Sequence, residues 1–301
     1  MAVVASQPDR LVRAMPAIFV LVWATGFIVA RYGMPHAPPM KFLLVRYLLS
    51  VGCFLAWALA ARAVWPAGRR QWAHLAITGM LMHAGYLGGV WAAVKDGMGA
   101  GLSALLVGLQ PVLTALWLSL RGGRVGRRQW SGLALGLAGL LLVVGQKLGL
   151  GEVHPRNLSY ALLALLSITA GTLYQKRFVA PCDVRTANLV QLAAAFLVTL
   201  PLALLETEPM RWISADGGLN GELAAAMAWS VLGLTLGGSS LLYLLIQRGA
   251  TTAVTSLMYL VPPTTAVMAW VLFGEAITPV IVAGMALTAG GVSLVVRPAK
   301  A

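Results

Sequence analysis

The chain has 301 residues, of which 59% are hydrophobic and only 10% are charged, and its mean hydropathy is +0.82. These values exclude an ordinary soluble domain, because about a quarter of the residues in such domains are charged. The net charge of +13 does not indicate nucleic-acid binding, since the basic residues are dispersed along the chain and form no single basic patch.

The apolar residues form long runs, which charged or Pro/Gly-rich segments interrupt. A helix needs roughly 20 residues to cross about 30 Å of hydrocarbon. Continuous runs such as "SGLALGLAGLLLVV" do not match the alternating strands of an outer-membrane barrel. We therefore predict an all-α integral membrane protein with ten spans, numbered in chain order: 14–33, 40–62, 71–94, 98–120, 128–148, 158–177, 186–205, 222–247, 251–273 and 279–296.

The distribution of charge predicts the orientation of these spans. With the N-terminus in the cytoplasm, 15 of the 22 Lys and Arg residues fall on the cytoplasmic side, and seven of the nine Asp and Glu residues fall on the other side. Basic residues in short loops mark the cytoplasmic side, so we predict that both termini are cytoplasmic. Span 1 follows basic residues, as a signal peptide does, but no clear cleavage site follows it, and we predict that it is retained.

Spans 4 and 5 are repeated in spans 9 and 10. The two segments share a proline at an offset of 151 residues and two glycines at an offset of 152, in the pairs Pro111 and Pro262, Gly132 and Gly284, and Gly139 and Gly291. Each half then has five spans, an odd number, so the second half must enter the membrane from the opposite side. We predict two inverted five-helix repeats, residues 1–150 and 151–301, an organisation common in secondary transporters.

Pro111 and Pro262 each remove a backbone donor inside an apolar run. The carbonyl one turn earlier then lacks its intrahelical partner. Within a membrane, such a carbonyl is tolerated where it finds another partner or faces a water-filled cavity. We predict a helix kink beside the substrate path at each proline, and a kink that serves only helix packing is the alternative.

Polar side chains within the spans are expected to point away from lipid. In span 3, one helix face combines the small residues Gly79 and Gly89 with His83 and Tyr86. The predicted substrate cavity is lined by Trp23, Thr25, His83, Tyr86, Gln110, Tyr174, Tyr243 and Tyr259. Helix packing is the alternative role for polar residues of this kind. For His83, the alternative to a substrate contact or proton site is a neutral, hydrogen-bonded packing residue.

Ionisable groups are almost absent from the spans. No Asp or Glu lies near the middle of a predicted span, so proton exchange on a buried carboxylate has no predicted site. Arg46 lies one to two turns inside span 2, from where its side chain can snorkel to the outer surface. The sequence has no HExxH, no Gly-x-Ser-x-Gly and no paired intramembrane aspartates, so we predict neither an enzyme nor a metal or cofactor site.

The segments "WAAVKDGMGAGLSALLVGLQPVLTALW" and "SLMYLVPPTTAVMAWVLFGEAITPVIVAGMALTAGGVSLVV" resemble the two EamA-type repeats of the drug/metabolite transporter superfamily. "VWATGFIVARYGMP" resembles the first helix of such a repeat, and the resemblance covers essentially the whole chain. It implies a ten-helix basket with a central cavity in a bacterial inner membrane, and an anchoring role for Arg46. The second half has the Gly-Glu of the repeat at Gly274 and Glu275, whereas the first half departs from it at Gly123 and Arg124.

Within that superfamily, the sequence is similar to inner-membrane exporters of aromatic amino acids. We predict a monomeric carrier that exports aromatic and other neutral amino acids and related small metabolites by alternating access, without tight ion coupling. Its predicted partners are the substrate and the lipid bilayer, with no nucleic acid and no cofactor. Proton-coupled export of other metabolites or drugs is one alternative, and a channel is another.

Overall fold

The computed structural model describes residues 10–121, 126–241 and 260–296. Within these residues the chain forms ten helices, α1 to α10, in the order of the predicted spans. The first half contains α1 (Arg10–Gly33), α2 (Pro39–Ala60), α3 (Gly68–Lys95), α4 in two segments (Ala100–Val107 and Gln110–Leu120), and α5 (Arg127–Gly149). The second half contains α6 (Pro155–Phe178), α7 (Val184–Leu205), α8 (Gly221–Leu241), α9 (Val261–Phe273) and α10 (Pro279–Val296).

The surface of the helix bundle is apolar and its interior contains polar residues. Seven of the described helices are long and apolar enough to cross a membrane, and α1, α9 and α10 each contain a shorter apolar helix. Leu204 and Leu205 are 75% and 78% exposed, whereas Ser50, Thr78 and Thr265 are fully buried. Because lipid solvates leucine but not an unpaired hydroxyl, this arrangement confirms a multi-pass, all-helical membrane protein.

The loops that follow α1, α3, α5, α7 and α9 meet at one end of the bundle, which we call the odd face. Polar contacts join these loops in the pairs Lys95–Glu208, His36–Glu222, Asp96–Arg156 and Ala100–Glu275. The loops after α2 and α6 meet at the opposite end, the even face, where the Thr186 hydroxyl donates to the Val64 carbonyl at 2.9 Å. α1 ends at the odd face and α6 begins there, so the two halves are inverted. The exact division between residues 150 and 151 stays a prediction.

Asp96 joins the two halves at the odd face through two basic residues of the second half. Arg156 donates hydrogen bonds to both of its carboxylate oxygens, and His154 Nε2 lies 3.4 Å from one of them. The hydrogen bonds from Arg156 and the nearby positive charge lower the pKa of the Asp96 carboxyl below its ordinary value of 3.8. Asp96 is therefore ionised at neutral pH and holds the loop after α3 against the start of α6.

The contacts between helices follow an approximate two-fold relation. Equivalent helices pack on each other in the pairs α2–α7, α4–α9 and α5–α10. Other contacts between the halves occur twice, so that α1–α8 is matched by α6–α3, α1–α9 by α6–α4, and α2–α8 by α7–α3. An interface between two equivalent units related by a two-fold requires this reciprocity. The repeat therefore extends from the sequence to the packing.

α5 and α10 approach each other at backbone distance. A Cβ atom added to Gly139 would lie 2.4 Å from the carbonyl oxygen of Gly284, and one added to Gly291 would lie 2.5 Å from the carbonyl oxygen of Gly132. The two-fold relation between the repeats converts one contact into the other, because Gly132 is equivalent to Gly284 and Gly139 is equivalent to Gly291. Small residues permit such close helix packing in membranes. The two-fold axis therefore passes between these two helices.

We expect Gly139→Ala to destabilise the protein, although alanine is favoured over glycine in a helix by about 1 kcal/mol. The added methyl group would overlap the backbone of α10, and overpacking of this kind costs roughly 1–3 kcal/mol. Thermal unfolding of the detergent-purified protein measures the effect as a lower Tm. Gly145→Ala, on the same helix with nothing within 4 Å of its Cβ position, is the control and should not lower the Tm. Equal Tm values for the two variants would contradict the close contact.

Candidate functional site

The equivalent helices α3 and α8 both contain a π-helical stretch, at Met80–Gly85 and Trp229–Gly238. A π-helix shifts the backbone hydrogen bonds by one residue, and such stretches are frequent at functional sites. Near these stretches, side chains bond to backbone carbonyls: the Tyr47 hydroxyl donates to the His83 carbonyl at 2.8 Å, and the Thr235 hydroxyl donates to the Ser230 carbonyl at 2.7 Å. The interior between α3 and α8 is therefore the candidate site.

α4 is interrupted at Gly108 and Leu109, immediately before Pro111. Pro111 lies in the first turn of the second segment, where its missing N–H leaves no intrahelical hydrogen bond unmade. Pro262 lies in the first turn of the described part of α9. A Cβ atom on Gly108 would lie 3.0 Å from Cγ of Pro262, so the absence of a side chain at Gly108 allows α9 to approach α4. A role for either proline beside a substrate path stays a prediction.

Thr25 and Trp23 lie on α1, and Thr25 is on the side that contacts α8. The Thr25 hydroxyl accepts a hydrogen bond from Trp229 Nε1 at 2.8 Å and donates to the Val22 carbonyl at 2.6 Å. Trp23 is half-buried, and its ring centroid lies 5.3 Å from that of Phe19. Thr25 therefore joins the first half to the second by a side-chain hydrogen bond.

Gln110 and Tyr174 make two further contacts between the halves, both involving α6. Gln110 Nε2 donates to the Thr172 hydroxyl at 2.7 Å. The Tyr174 hydroxyl lies 2.8 Å from Nδ1 of His74, on α3. Two other residues predicted to line the cavity, Tyr243 and Tyr259, lie outside the described residues.

Arg46 is only 6% exposed, so the prediction that its side chain snorkels to the surface is wrong. Its Nε and Nη2 atoms lie 3.3 and 3.1 Å from the Thr235 hydroxyl oxygen, to which they donate. Its guanidinium carbon lies 5.4 Å from the centre of the Trp91 ring, a distance at which a cation is attracted to an aromatic face. α3 and α8 cover this face of α2, and this covering prevents the side chain from reaching the surface.

His83 and Tyr86 lie in the same buried cluster of side chains as Arg46, Thr235 and Trp91. His83 lies beside Gln191 of α7, and its ring lies edge-on to Tyr47 with centroids 6.3 Å apart. Tyr86 is 8% exposed and interacts electrostatically with Arg46. The structure thus brings two of the predicted cavity residues to Arg46, which sequence reasoning had assigned to anchoring. The signal that could have found Arg46 is its charge, because an ionisable residue inside a span usually has a functional role.

Two crevices lie apart from this cluster, the first between α4, α5, α9 and α10 and the second between α4, α9 and α10. One is lined by Lys147 and Glu275 among other residues, and the second is lined by Pro262 and Thr288 among others. Lys147 is already paired with Glu152 at 2.7 Å. Neither crevice includes a residue that was predicted to line the cavity, and the second includes Pro262, which was predicted to form a kink beside the substrate path. The polar contacts between the halves define the candidate site better than these crevices do.

Two inverted five-helix halves that meet at a polar interior form the architecture of a secondary transporter, in which substrates bind where the repeats meet. The model of the EamA-like transporter family matches this chain twice, over residues 14–145 and 156–297. The chain belongs to this family, and it is a membrane transporter rather than an enzyme.

Similar proteins are found in enteric bacteria. A Salmonella typhimurium protein named "Probable amino-acid metabolite efflux pump" is 28% identical over 284 residues, which cover 91% of each chain. The "Uncharacterized inner membrane transporter YedA" of Escherichia coli K12 is 25% identical, over 90% of this chain and 86% of that protein. A crystal structure with 19% sequence identity superposes with a TM-score of 0.62, covering 95% of this chain and 96% of the other. This last likeness concerns the fold alone.

We expect Tyr47→Phe to lower the stability of the protein by about 1–3 kcal/mol, because the His83 carbonyl would lose a buried hydrogen bond. The change removes one oxygen atom and leaves the ring packing intact. Thermal unfolding in detergent measures the change in Tm. Tyr160→Phe, at a half-buried tyrosine of α6, is the matched control and should leave the Tm nearly unchanged. If Tyr47→Phe also left it unchanged, the bond to the π-helical stretch would contribute nothing.

Proposed function

We propose that the chain is a monomeric inner-membrane carrier that exports aromatic and other neutral amino acids and related small metabolites by alternating access, without tight ion coupling. The observation that carries this proposal is the polar interior between the two halves, which contains hydroxyl, amide and aromatic groups but no carboxylate among the described residues. The names of the relatives from Salmonella typhimurium and, over about half the chain, Escherichia coli K12 support amino-acid metabolites as the substrate class.

The positions of the acidic residues support the absence of proton coupling. In the described part of the chain, every acidic residue lies in a loop or at the end of a helix: Asp96, Glu152, Asp183, Glu206, Glu208, Asp216, Glu222 and Glu275. A carrier that exchanges a proton for a substrate on a carboxylate needs that carboxylate in the interior, where burial adjusts its pKa. The same absence disfavours cationic drugs, which would leave a positive charge without a counterion.

The reciprocal packing supports alternating access. When two inverted halves exchange their conformations, a cavity open to one side of the membrane becomes a cavity open to the other. The contacts that close the odd face are largely pairs of exposed side chains, such as Lys95 with Glu208 and His36 with Glu222. Exposed ion pairs contribute about 0–1 kcal/mol each, so water can replace them when the odd face opens.

We expect purified protein in liposomes loaded with unlabelled L-phenylalanine to accumulate labelled L-phenylalanine transiently, with no pH gradient imposed. Counterflow of this kind requires a saturable site that alternates between the two sides. A protonophore should leave the initial rate unchanged, since no proton is exchanged. Leu163→Ala, at a 52% exposed position on the lipid-facing surface, is the control variant and should transport at the wild-type rate.

Three results would contradict parts of this proposal. Uptake that occurs only under an imposed pH gradient would show proton coupling. Downhill flux without counterflow would indicate a channel. The absence of flux for L-phenylalanine and for a panel of other neutral amino acids would exclude the proposed substrate class.

We also propose that the even face is cytoplasmic, because the excess of basic residues lies there. In intact cells, a membrane-impermeant maleimide should label a cysteine introduced by Ala215→Cys, in the odd-face loop after α7, but should not label Cys182, in the loop after α6. Permeabilising the cells should expose Cys182. Cys53 is replaced by serine in the protein that carries Ala215→Cys and in the protein used to label Cys182, so that Cys53 gives no background labelling. Labelling of Cys182 alone in intact cells would reverse the orientation.

A further inference from the structure

Arg46 is a buried cation to which the described residues offer no carboxylate. Its guanidinium contacts one hydroxyl, that of Thr235, and one aromatic face, that of Trp91. A charge removed from water is strongly unfavourable unless an opposite charge and full hydrogen bonding replace the solvent. A hydroxyl and an aromatic ring replace it only in part.

The acidic residues of the described chain all have other partners. Five are paired with basic side chains: Asp96 with Arg156, Glu152 with Lys147, Asp183 with Arg185, Glu208 with Lys95, and Glu222 with His36. Three accept hydrogen bonds from backbone N–H groups: Glu206 from Lys41, Glu275 from Ala100, and Asp216 from Gly218. The ninth acidic residue, Asp9, precedes the first span. The counterion of Arg46 is therefore not one of these eight carboxylates.

Polar atoms without partners gather around the same arginine. Among the described residues, four buried side-chain polar atoms have no hydrogen-bond partner: Arg46 Nη1, Ser50 Oγ, Trp91 Nε1 and Ser230 Oγ. Ser50 follows Arg46 by one turn of α2, the Trp91 ring faces the guanidinium, and Ser230 is bonded through its carbonyl to Thr235, which Arg46 contacts. Buried polar atoms are nearly always paired, so four unpaired atoms on Arg46 and on residues linked to it point to a ligand site.

The chemistry of these atoms defines the ligand. Guanidinium and indole N–H groups can only donate, and the two serine hydroxyls can donate as well. The matching ligand is a negatively charged group that only accepts hydrogen bonds and has several lone pairs, which describes a carboxylate. A cation or a neutral amine would place donor against donor at this position.

We propose that Arg46 binds the carboxylate of the transported substrate, with Ser50, Trp91 and Ser230 supplying further hydrogen bonds. This inference rests on the proposed function for the identity of the substrate as an amino acid. The rest of an aromatic amino acid would then lie toward Tyr86 and His83, which belong to the same cluster. The interior thus has a fixed positive charge at Arg46.

The test measures binding to the full-length protein in detergent by ligand-induced thermal stabilisation, with four probes of similar size. L-phenylalanine and 3-phenylpropionate have a carboxylate, whereas L-phenylalaninamide and phenethylamine do not. In the wild type, we expect L-phenylalanine to bind at least about tenfold more tightly than L-phenylalaninamide, and 3-phenylpropionate to exceed phenethylamine by at least about the same factor. The loss of one charge-assisted hydrogen bond has an effect of this size. In Arg46→Gln this preference should disappear, and in Arg46→Lys it should be reduced. Arg69→Gln removes the same charge at an exposed position, and this control variant should retain the preference for carboxylates.

The outcomes separate this inference from the proposed function. Wild-type protein that binds L-phenylalaninamide as tightly as L-phenylalanine overturns the role of Arg46, and this comparison does not require a variant to fold. If folded Arg46→Gln protein retains the preference for carboxylates, the role of Arg46 is overturned as well. Stabilisation by chloride equal to that by carboxylates, with the same dependence on Arg46, would show a general anion site and overturn the carboxylate assignment. If 3-phenylpropionate binds through Arg46 but no amino acid binds or is transported, the inference stands and the proposed amino-acid substrate is wrong.

Discussion

Two crossed glycine contacts, Gly139 with Gly284 and Gly132 with Gly291, hold the halves of this transporter at backbone distance. Lipid tails are as apolar as leucine, so burial of apolar surface does not drive helices together in a membrane as it does in water. Close packing and interhelical hydrogen bonds must do so instead. Since the glycine pairs also fix the approximate two-fold between α5 and α10, the contacts that α1 to α4 make with the second half recur as contacts of α6 to α9 with the first.

The interior that this symmetry encloses is irregular in its backbone. α3 and α8 each contain a π-helical stretch, and α4 is interrupted before Pro111. Within a membrane, irregular backbone is tolerated only where it is buried in protein or lines a cavity. Tyr47 and Thr235 satisfy carbonyls near the two π-helical stretches by side-chain hydrogen bonds. Helices that are already interrupted in this way can change their curvature by exchanging such bonds, which suits a cavity that opens alternately to two sides.

The sequence predicts the elements and the symmetry of this fold better than it predicts the partners of individual side chains. The length of each apolar run indicates a helix, and the matched prolines and glycines identify the repeat. A helix face, however, does not reveal what it faces. Gly79 and Gly89, predicted on a face with His83, lie where a Cβ atom would be 2.1 Å from the Gln191 carbonyl oxygen and 2.6 Å from that of Tyr160. They allow close packing. The burial of Arg46 likewise depends on the tertiary packing of α3 and α8 over it.

Under the proposed mechanism without ion coupling, the partial hydrogen bonding of Arg46 bears on how the carrier completes its cycle. After releasing its substrate, such a carrier must return empty, so its interior must also close around the binding site without a ligand. A fully unpaired guanidinium would oppose that closure, because its desolvation would be uncompensated. A protein carboxylate beside it would allow closure but would compete with the substrate for the same donors. Thr235 and Trp91 give the proposed carboxylate site an intermediate condition: they stabilise the charge in part, as closure of an empty site would require, and Nη1, which has no partner in the described structure, could bind an incoming carboxylate.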